Sequence, residues 1–268
     1  MLIFAQKYQL CVIMEHYLNH INTAIKKYWD MPAFCNFGAE TLTYGTDAGT
    51  LQKALAEAET LLSEGEATER MSAYHALKDA IKQYRIANAS ETYPVDMTEK
   101  VKNASLDMCN TTHWMVTSSD AGYPMFNMGV AEFYHSTFDF SQVVNNLPVG
   151  NYRVSMQARS NMAETNKGFY LYAKQTGGAA IKEFATDATI QEGTDLTLHL
   201  GQNADQMNAD LNGGRISVNV FSTDGKLTIG AACEQADMWC VLNDFRIEFL
   251  GFGENDLLKN WSEVVEQV

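Results

Sequence analysis

A change in hydrophobic period just after Asn88 constrains this chain more than any other feature. Before it, apolar residues recur every three or four positions, as on one face of an α-helix. After it, short runs alternate apolar and polar residues, as in β-strands that bury one face. The sequence therefore predicts a mainly β fold with an α-helical N-terminal region.

Three segments before the change carry the helical period. The first spans residues 4–28. The second has Thr50 as its N-cap and ends at Gly65, and the third covers residues 71–84. Their apolar faces need partners, so a small antiparallel helical bundle is predicted.

Seven runs after the change carry the strand period, and turn signals rich in Gly, Pro, Asn and Asp separate them. Many short strands with few helices between them predict a jelly-roll β-sandwich. The predicted strands are residues 132–140, 152–158, 169–173, 196–200, 215–221, 226–231 and 239–249.

The same patterns predict three parts. Residues 1–92 form the helical bundle or spacer, and residues 93–251 form the sandwich. Residues 252–268 return to helical spacing and are interpreted as a packing helix or a linker to a further segment. No stretch approaches the 18 uninterrupted apolar residues that would predict a membrane span.

The formal net charge of −14 restricts the partners of the protein. An acidic surface repels the phosphate backbone of nucleic acids and the headgroups of anionic lipids. Neutral ligands and divalent cations remain open. At 268 residues with 46% hydrophobic content, the chain can bury a sizeable core.

The five cysteines are an odd number and show no metal-binding spacing. Two interpretations stay open: buried free thiols, or a bridge between Cys109 and either Cys233 or Cys240.

No catalytic arrangement is evident in the sequence. His16 and His20 share one helical face beside Glu15, but the order is not the HExxH of zinc hydrolases. Glycoside hydrolysis needs two carboxylates at a set separation, and nothing in the sequence pairs the candidates. These are interpreted as solvated charges on strand faces: Glu132, Asp139, Glu183 and Glu234.

Three blocks together resemble the galactose-binding-like jelly-roll domains. Asn103–Asp107 followed by Trp114 is similar to the opening "NPSF…GW" of that family. Residues 138–154, FDFSQVVNNLPVGNYRV, resemble its strand–turn–strand, and residues 237–251 resemble its closing strand. The blocks occur in the family's order across much of the predicted sandwich.

The resemblance implies carbohydrate binding, often beside a glycoside hydrolase. The helical region followed by Pro94–Thr98 is similar to the outer-surface proteins of gut Bacteroidetes. Such a protein is secreted or displayed at the cell surface. The absence of a signal peptide would then mean that this chain is a piece of a longer one or that its start was assigned late.

Aromatic rings stack on sugar rings, and amide or charged groups bind sugar hydroxyls. Tyr123 and Tyr134 are predicted as aromatic contacts, with Arg159, Asn161 and Asn166 as polar ones. Trp114 is a further candidate, although its position in the family lines the core.

Many members of the family hold a structural calcium ion between the opening and closing strands. Oxygen ligands suit this ion. Asp96, Asp107, Asn243 and Asp244 are the candidate ligands, and Asn243-Asp244 reverses the family's Asp-Asn order.

The leading hypothesis is a non-catalytic glycan-binding module that needs no cofactor beyond this possible calcium ion. The alternatives are a structural or protein-interaction domain of a larger surface assembly and a glycoside hydrolase.

Overall fold

The computed structural model describes residues 48–64, 66–127, 129–160, 168–185 and 215–253. The chain forms two compact units, and the division falls between Asn88 and Ala89. The predicted helices over 4–28 and 254–268 and the predicted strand over 196–200 lie outside the described residues.

Two helices are described before the division: α1 (Gly49–Glu64) and α2 (Ala67–Ala87). Glu66 and Glu69 form a capping box at the start of α2, where the Glu66 backbone N–H donates to Glu69 Oε2 at 2.9 Å. Helix α1 begins at Gly49, so the predicted N-cap Thr50 lies inside the helix. Residues three or four apart on each helix form one buried cluster: Leu51, Leu55, Ala58, Ala73, Tyr74, Leu77, Ala80, Ile81 and Tyr84.

Eleven strands are described after the division, with a 3₁₀ helix at Thr98–Lys100 between the first two. In chain order they are β1 (Val95–Asp96), β2 (Met115–Ser118), β3 (Met125–Asn127), β4 (Val130–Tyr134), β5 (Phe138–Val144), β6 (Gly150–Ser160), β7 (Phe169–Gln175), β8 (Ile181–Phe184), β9 (Arg215–Ser222), β10 (Leu227–Cys233) and β11 (Trp239–Gly251).

The strands form two antiparallel sheets. The first sheet has the order β3-β4-β11-β6-β9, and β1 also pairs with β11. The second sheet has the order β2-β5-β10-β7-β8. The predicted fold class, a β-sandwich with an α-helical N-terminal region, is confirmed.

Aromatic side chains from both sheets meet in the core. Phe133 of β4 stacks on Phe138 of β5 with ring centroids 3.7 Å apart. Trp114 lies 4.6 Å from the ring of Phe140 in β5 and 4.6 Å from that of Phe245 in β11. Each of these last three residues belongs to a different one of the family-like blocks, so the blocks converge on one aromatic cluster.

The single strand predicted over residues 132–140 is wrong. It is two strands, β4 and β5, which belong to different sheets. His135 separates them with a φ of 49°, a left-handed conformation that ends the extended backbone. The alternation changes phase at this break, because Phe133 and Phe138 are five residues apart and both face the core.

A candidate ligand-binding cleft on the second sheet

Register pairing places Asp139, Ala232 and Tyr170 side by side on the second sheet. Ala232 of β10 is the partner of Asp139 in β5 and also of Tyr170 in β7. Residues paired across strands share one face of a sheet, and the neighbouring Phe138, Phe140 and Phe169 face the core. Asp139 and Tyr170 therefore lie on the outer face.

Tyr170 and Lys182 both bind the carboxylate of Glu234. The Tyr170 hydroxyl donates to Glu234 Oε1 at 2.8 Å, and Lys182 Nζ lies 2.8 Å from the same oxygen. The Lys182 ammonium also lies 4.0 Å from the centroid of the Tyr170 ring. Glu234 directly follows β10 and Lys182 belongs to β8, so three sequence-distant segments build this cluster.

Tyr172, two residues after Tyr170 on β7, makes a second tyrosine–carboxylate contact. Its hydroxyl donates to Asp139 Oδ2 at 2.9 Å across the intervening strand β10. Gly230 of β10 allows this reach, because a Cβ there would lie 2.9 Å from Cζ of Tyr172. The ring therefore occupies the space that any other residue at position 230 would fill.

A cleft of about 520 Å³ opens beside these residues. This volume lies within the range of small-ligand sites, roughly 300 to 1,000 Å³. The lining combines four hydroxyl-bearing residues, two carboxylates, the Tyr170 ring and a few smaller or apolar groups: Thr117, Ser118, Ser119, Thr137, Phe138, Asp139, Tyr170, Ala232, Cys233 and Glu234.

Hydrogen bonds and burial shift the pKa values of the residues in and beside the cleft. The hydrogen bond from Lys182, followed by that from Tyr170, lowers the pKa of Glu234. The hydrogen bond to Glu234 raises the pKa of Lys182. Desolvation is the main cause that raises the pKa of Tyr170 and of Tyr172. Glu234 therefore stays ionised, and both phenols stay protonated at neutral pH.

This arrangement can bind a polyhydroxylated ligand. Asp139 and Glu234 offer acceptor oxygens, and the Thr and Ser hydroxyls donate and accept. Tyr170 is 7% exposed, and its ring packs against Phe184 and below Lys182, so its main part is to hold Glu234 in place. Because tyrosine hydroxyls already hold both carboxylates, these oxygens are oriented before any ligand arrives, which lowers the entropic cost of binding.

Among the residues predicted to contact ligand, Tyr123 and Tyr134 lie near each other, and neither is one of the residues that line the cleft. Desolvation raises the pKa of Tyr123, followed by the charge of Glu132 and by smaller effects of Asp120 and Tyr134. The side chain of Tyr134 is 45% exposed. Tyr134 is the register partner of Trp239 in the first sheet, whereas the cleft lies on the second.

Two of the predicted contact residues are buried. Arg159 is 0% exposed, so the expectation of an exposed guanidinium is wrong. It lies in the stretch of β6 where consecutive residues from Ser155 onward are all buried, so this part of the strand has no solvent face. Trp114 is also wrong as an exposed contact, since it packs in the core and its Nε1 donates to Asn103 O at 3.2 Å.

Asn161 and Asn166 lie outside the described residues, as do the His16 and His20 pair. Tyr123 and Tyr134 are therefore the predicted contact residues that are both described and not buried. Sequence reasoning missed Tyr170 and Tyr172, although a signal was present. Both occupy the polar phase of the alternating run FYLYA, where an aromatic residue faces outward.

Asp244, one of the four predicted calcium ligands, does not fit a calcium site. Its carboxylate forms ion pairs with Arg215 and with Arg246, the latter at 2.7 Å. Two guanidinium groups oppose the approach of a divalent cation. Within the described ranges, no group of three or more His, Cys, Asp or Glu side chains could hold a metal ion.

The other three predicted ligands also have protein partners. Asp96 Oδ1 accepts from the Thr98 backbone N–H at 2.8 Å, and Asp107 Oδ2 accepts from Ser105 at 2.6 Å. Asn243 is buried, and its Nδ2 donates to Gln157 Oε1 at 3.3 Å.

No protein-family model and no curated protein matches the chain. Solved structures do match. One of TmCBM61 in complex with β-1,4-galactotriose is 16% identical, covers 55% of this chain and 96% of that chain, and has a TM-score of 0.34. A carbohydrate-binding module named CBM4 is 13% identical, with 56% and 99% coverage and a TM-score of 0.33.

A Stig cyclase, Fisc from Fischerella sp. TAU, also matches at 10% identity, with 60% and 100% coverage and a TM-score of 0.34. Similarities at this level do not identify a function. None of the helices in the described part of the chain is long and apolar enough to cross a membrane.

Proposed function

We propose that the chain is a non-catalytic glycan-binding module and that the cleft on the second sheet binds the sugar. The observation that carries this proposal is the placement of two tyrosine-held carboxylates, Asp139 and Glu234, beside a hydroxyl-lined wall. Acceptors and donors in one cleft match the hydroxyl groups of a sugar ring.

The charge of the cleft favours a neutral glycan. Lys182 neutralises Glu234 through their 2.8 Å ion pair, which leaves the negative charge of Asp139 in the lining. An acidic sugar would bring a second carboxylate close to Asp139, and the net charge of −14 adds to the repulsion. We therefore expect neutral oligosaccharides to bind more tightly than uronic acid oligomers.

Calorimetric titration with β-1,4-galactotriose, cellotetraose and trigalacturonic acid tests the proposal. Binding of one neutral probe should weaken about tenfold or more in Glu234→Gln, since a charge-assisted hydrogen bond contributes about 1.5 kcal/mol or more. Glu57→Gln, an exposed position on helix α1, is the matched control and should bind as the wild type does.

Tyr134→Ala separates the cleft from the surface near Tyr123. Because Tyr134 belongs to the first sheet, sugar binding in the cleft predicts that this variant keeps the wild-type affinity. Weaker binding by Tyr134→Ala together with normal binding by Glu234→Gln would place the sugar at Tyr123 and Tyr134 and contradict the cleft. Uniform failure to bind across a wider glycan panel would favour the structural or protein-interaction alternative.

A glycoside hydrolase is the second candidate, because Asp139 and Glu234 line the same cleft. Hydrolysis needs one carboxyl group to stay protonated as a general acid. The hydrogen bonds from Lys182 and Tyr170 lower the pKa of Glu234, which is opposite to that requirement. Release of reducing ends from an oligosaccharide that Glu234→Gln no longer cleaves would establish the enzyme and refute the non-catalytic proposal.

The proposed location is outside the cell or at its surface, in line with the resemblance to surface proteins of gut Bacteroidetes. Cell fractionation of the source organism with an antibody against this chain tests the location.

A further inference from the structure

Cys233 and Cys240 lie at the two ends of a short connection between the sheets. Cys233 is the last residue of β10 in the second sheet, and Cys240 is the second residue of β11 in the first. Both side chains are buried, at 2% and 1% exposure. Residues 234–237 between them are exposed.

The strand registers bring these two cysteines together in the core. Cys233 is the partner of Phe138, and Cys240 is the partner of Phe133. The rings of Phe133 and Phe138 stack with centroids 3.7 Å apart across the sandwich. Because register partners share a face, the two thiols point into the same part of the interior.

Cys233 Sγ donates to Gln235 O at 3.3 Å and lies 3.7 Å from Met238 Sδ, so its sulfur is held at the start of the exposed connection. A hydrogen bond with Cys240 lowers the pKa of Cys233, whereas burial raises the pKa of Cys240. Cys233 is therefore the better nucleophile of the pair, since the thiolate is the form that attacks a disulfide.

We propose that Cys233 and Cys240 form an intramolecular disulfide that joins the two sheets when the protein meets an oxidised low-molecular-weight disulfide. The Cys233 thiolate attacks one sulfur of the oxidant, and a mixed disulfide forms as one small thiolate leaves. Cys240 then loses its proton and attacks the Cys233 sulfur, and the second small thiolate leaves. One disulfide of the oxidant is reduced to two thiols, and two protein thiols are oxidised to one disulfide.

Access comes through the exposed connection. Local opening of residues 234–237 would expose Cys233 without unfolding either sheet. The bond would also restrain the backbone at Glu234, which directly follows Cys233 and lines the cleft. The disulfide does not depend on glycan binding.

Peptide mass spectrometry on the folded full chain tests the proposal. One portion is incubated with oxidised glutathione and the other with a reductant, and free thiols are alkylated after denaturation. A single tryptic peptide, residues 227–246, contains both cysteines, since trypsin cleaves after Lys226 and after Arg246 and no Lys or Arg lies between them. We expect the oxidised sample to yield this peptide two hydrogens lighter and without either alkyl group, while the exposed Cys109 stays outside it.

Alkylation of both Cys233 and Cys240 after oxidation would overturn the proposal, as would a stable glutathione adduct on either or a bond from either to Cys109. The thermal midpoint gives a second readout. Oxidation should raise it by about 5 °C in the wild type and in Cys109→Ser, because the bond restricts the unfolded chain. It should have no effect in Cys240→Ser, and an equal rise in that variant would contradict the assignment.

Discussion

The hydroxyl of Tyr172 donates a hydrogen bond to Asp139 Oδ2 at 2.9 Å across the strand that separates the two residues. This contact joins β7 to β5 over β10 on the outer face of the second sheet. It orients a carboxylate of the cleft and ties three strands together, so the stability of the sandwich and the proposed ligand binding depend on the same bond.

Replacing Tyr172 by Phe should lower the free energy of unfolding by about 1 to 2 kcal/mol, because a hydrogen bond to a charged group is lost while the ring remains. Chemical denaturation measures the change. Tyr134→Phe, at an exposed position of the first sheet, is the matched control and should change stability by less than about 0.5 kcal/mol. Equal losses in the two variants would contradict the special role of Tyr172.

Gly230→Ala should destabilise the protein by about 1 to 3 kcal/mol, because the added methyl group overpacks the sheet. Its Cβ would lie 2.6 Å from the Phe140 carbonyl oxygen and 2.9 Å from the Tyr172 ring. The same change at Gly49, where no atom lies within 4 Å of the added Cβ, is the control and should be neutral or stabilising. A wild-type midpoint for Gly230→Ala would show that the Tyr172 ring does not rest on Gly230.

Trp114→Ala should cost about 3 to 5 kcal/mol, since it removes a buried ring that contacts Phe140 and Phe245. Trp114→Phe keeps an aromatic ring and loses the hydrogen bond to Asn103, so a smaller loss is expected. Urea denaturation of both variants gives the comparison. A loss of glycan affinity without a loss of stability would instead assign Trp114 to a ligand site.

The binding of a neutral glycan should be constant from about pH 7 to pH 5 and should fall below about pH 4. The pKa of Glu234 is lowered in the folded protein, so its charge and its bond to Lys182 persist above the ordinary glutamate pKa of about 4.3. They disappear only as the pH falls through the lowered value. Calorimetry across this range measures the effect. Glu234→Gln should lack this component of the pH dependence.

Calcium should leave the thermal midpoint unchanged. Arg215 and Arg246 already neutralise Asp244, so no net negative charge is left there for a divalent cation. Melting curves with calcium and with a chelator test this expectation, and a higher midpoint with calcium would refute it. Asp244→Asn should destabilise the protein under both conditions, because it weakens the pairing of the half-buried Arg215.

Local patterns predicted the described helices well. The helical period placed residues 51–62 and 71–84, and these lie inside α1 and α2. Helix formation depends on contacts three and four residues apart, which a sequence displays directly. The predicted N-cap Thr50 is two residues late, because α1 begins at Gly49, and helix ends are the least defined part of a helix.

The strand period was informative but incomplete. It located β7, β9, β10 and β11, yet it merged β4 with β5. The core-facing positions shift by one between Phe133 and Phe138, and the prediction passed over this change of phase at His135. It also ended one strand too early. The prediction put Arg159 on a loop after residue 158, whereas β6 continues to Ser160 and buries Arg159.

By itself the sequence determined a helical region followed by a β-sandwich, and it placed in three separated blocks the aromatic residues Trp114, Phe140 and Phe245 that meet in the core. Only the tertiary structure decided the cleft. Tyr170, Asp139 and Glu234 come from segments far apart in the chain and meet because β5, β7 and β10 pair in one register. A periodic pattern reports which face of its own strand a residue occupies. Which residues become neighbours on that face depends on long-range pairing, for which a single sequence contains no direct signal.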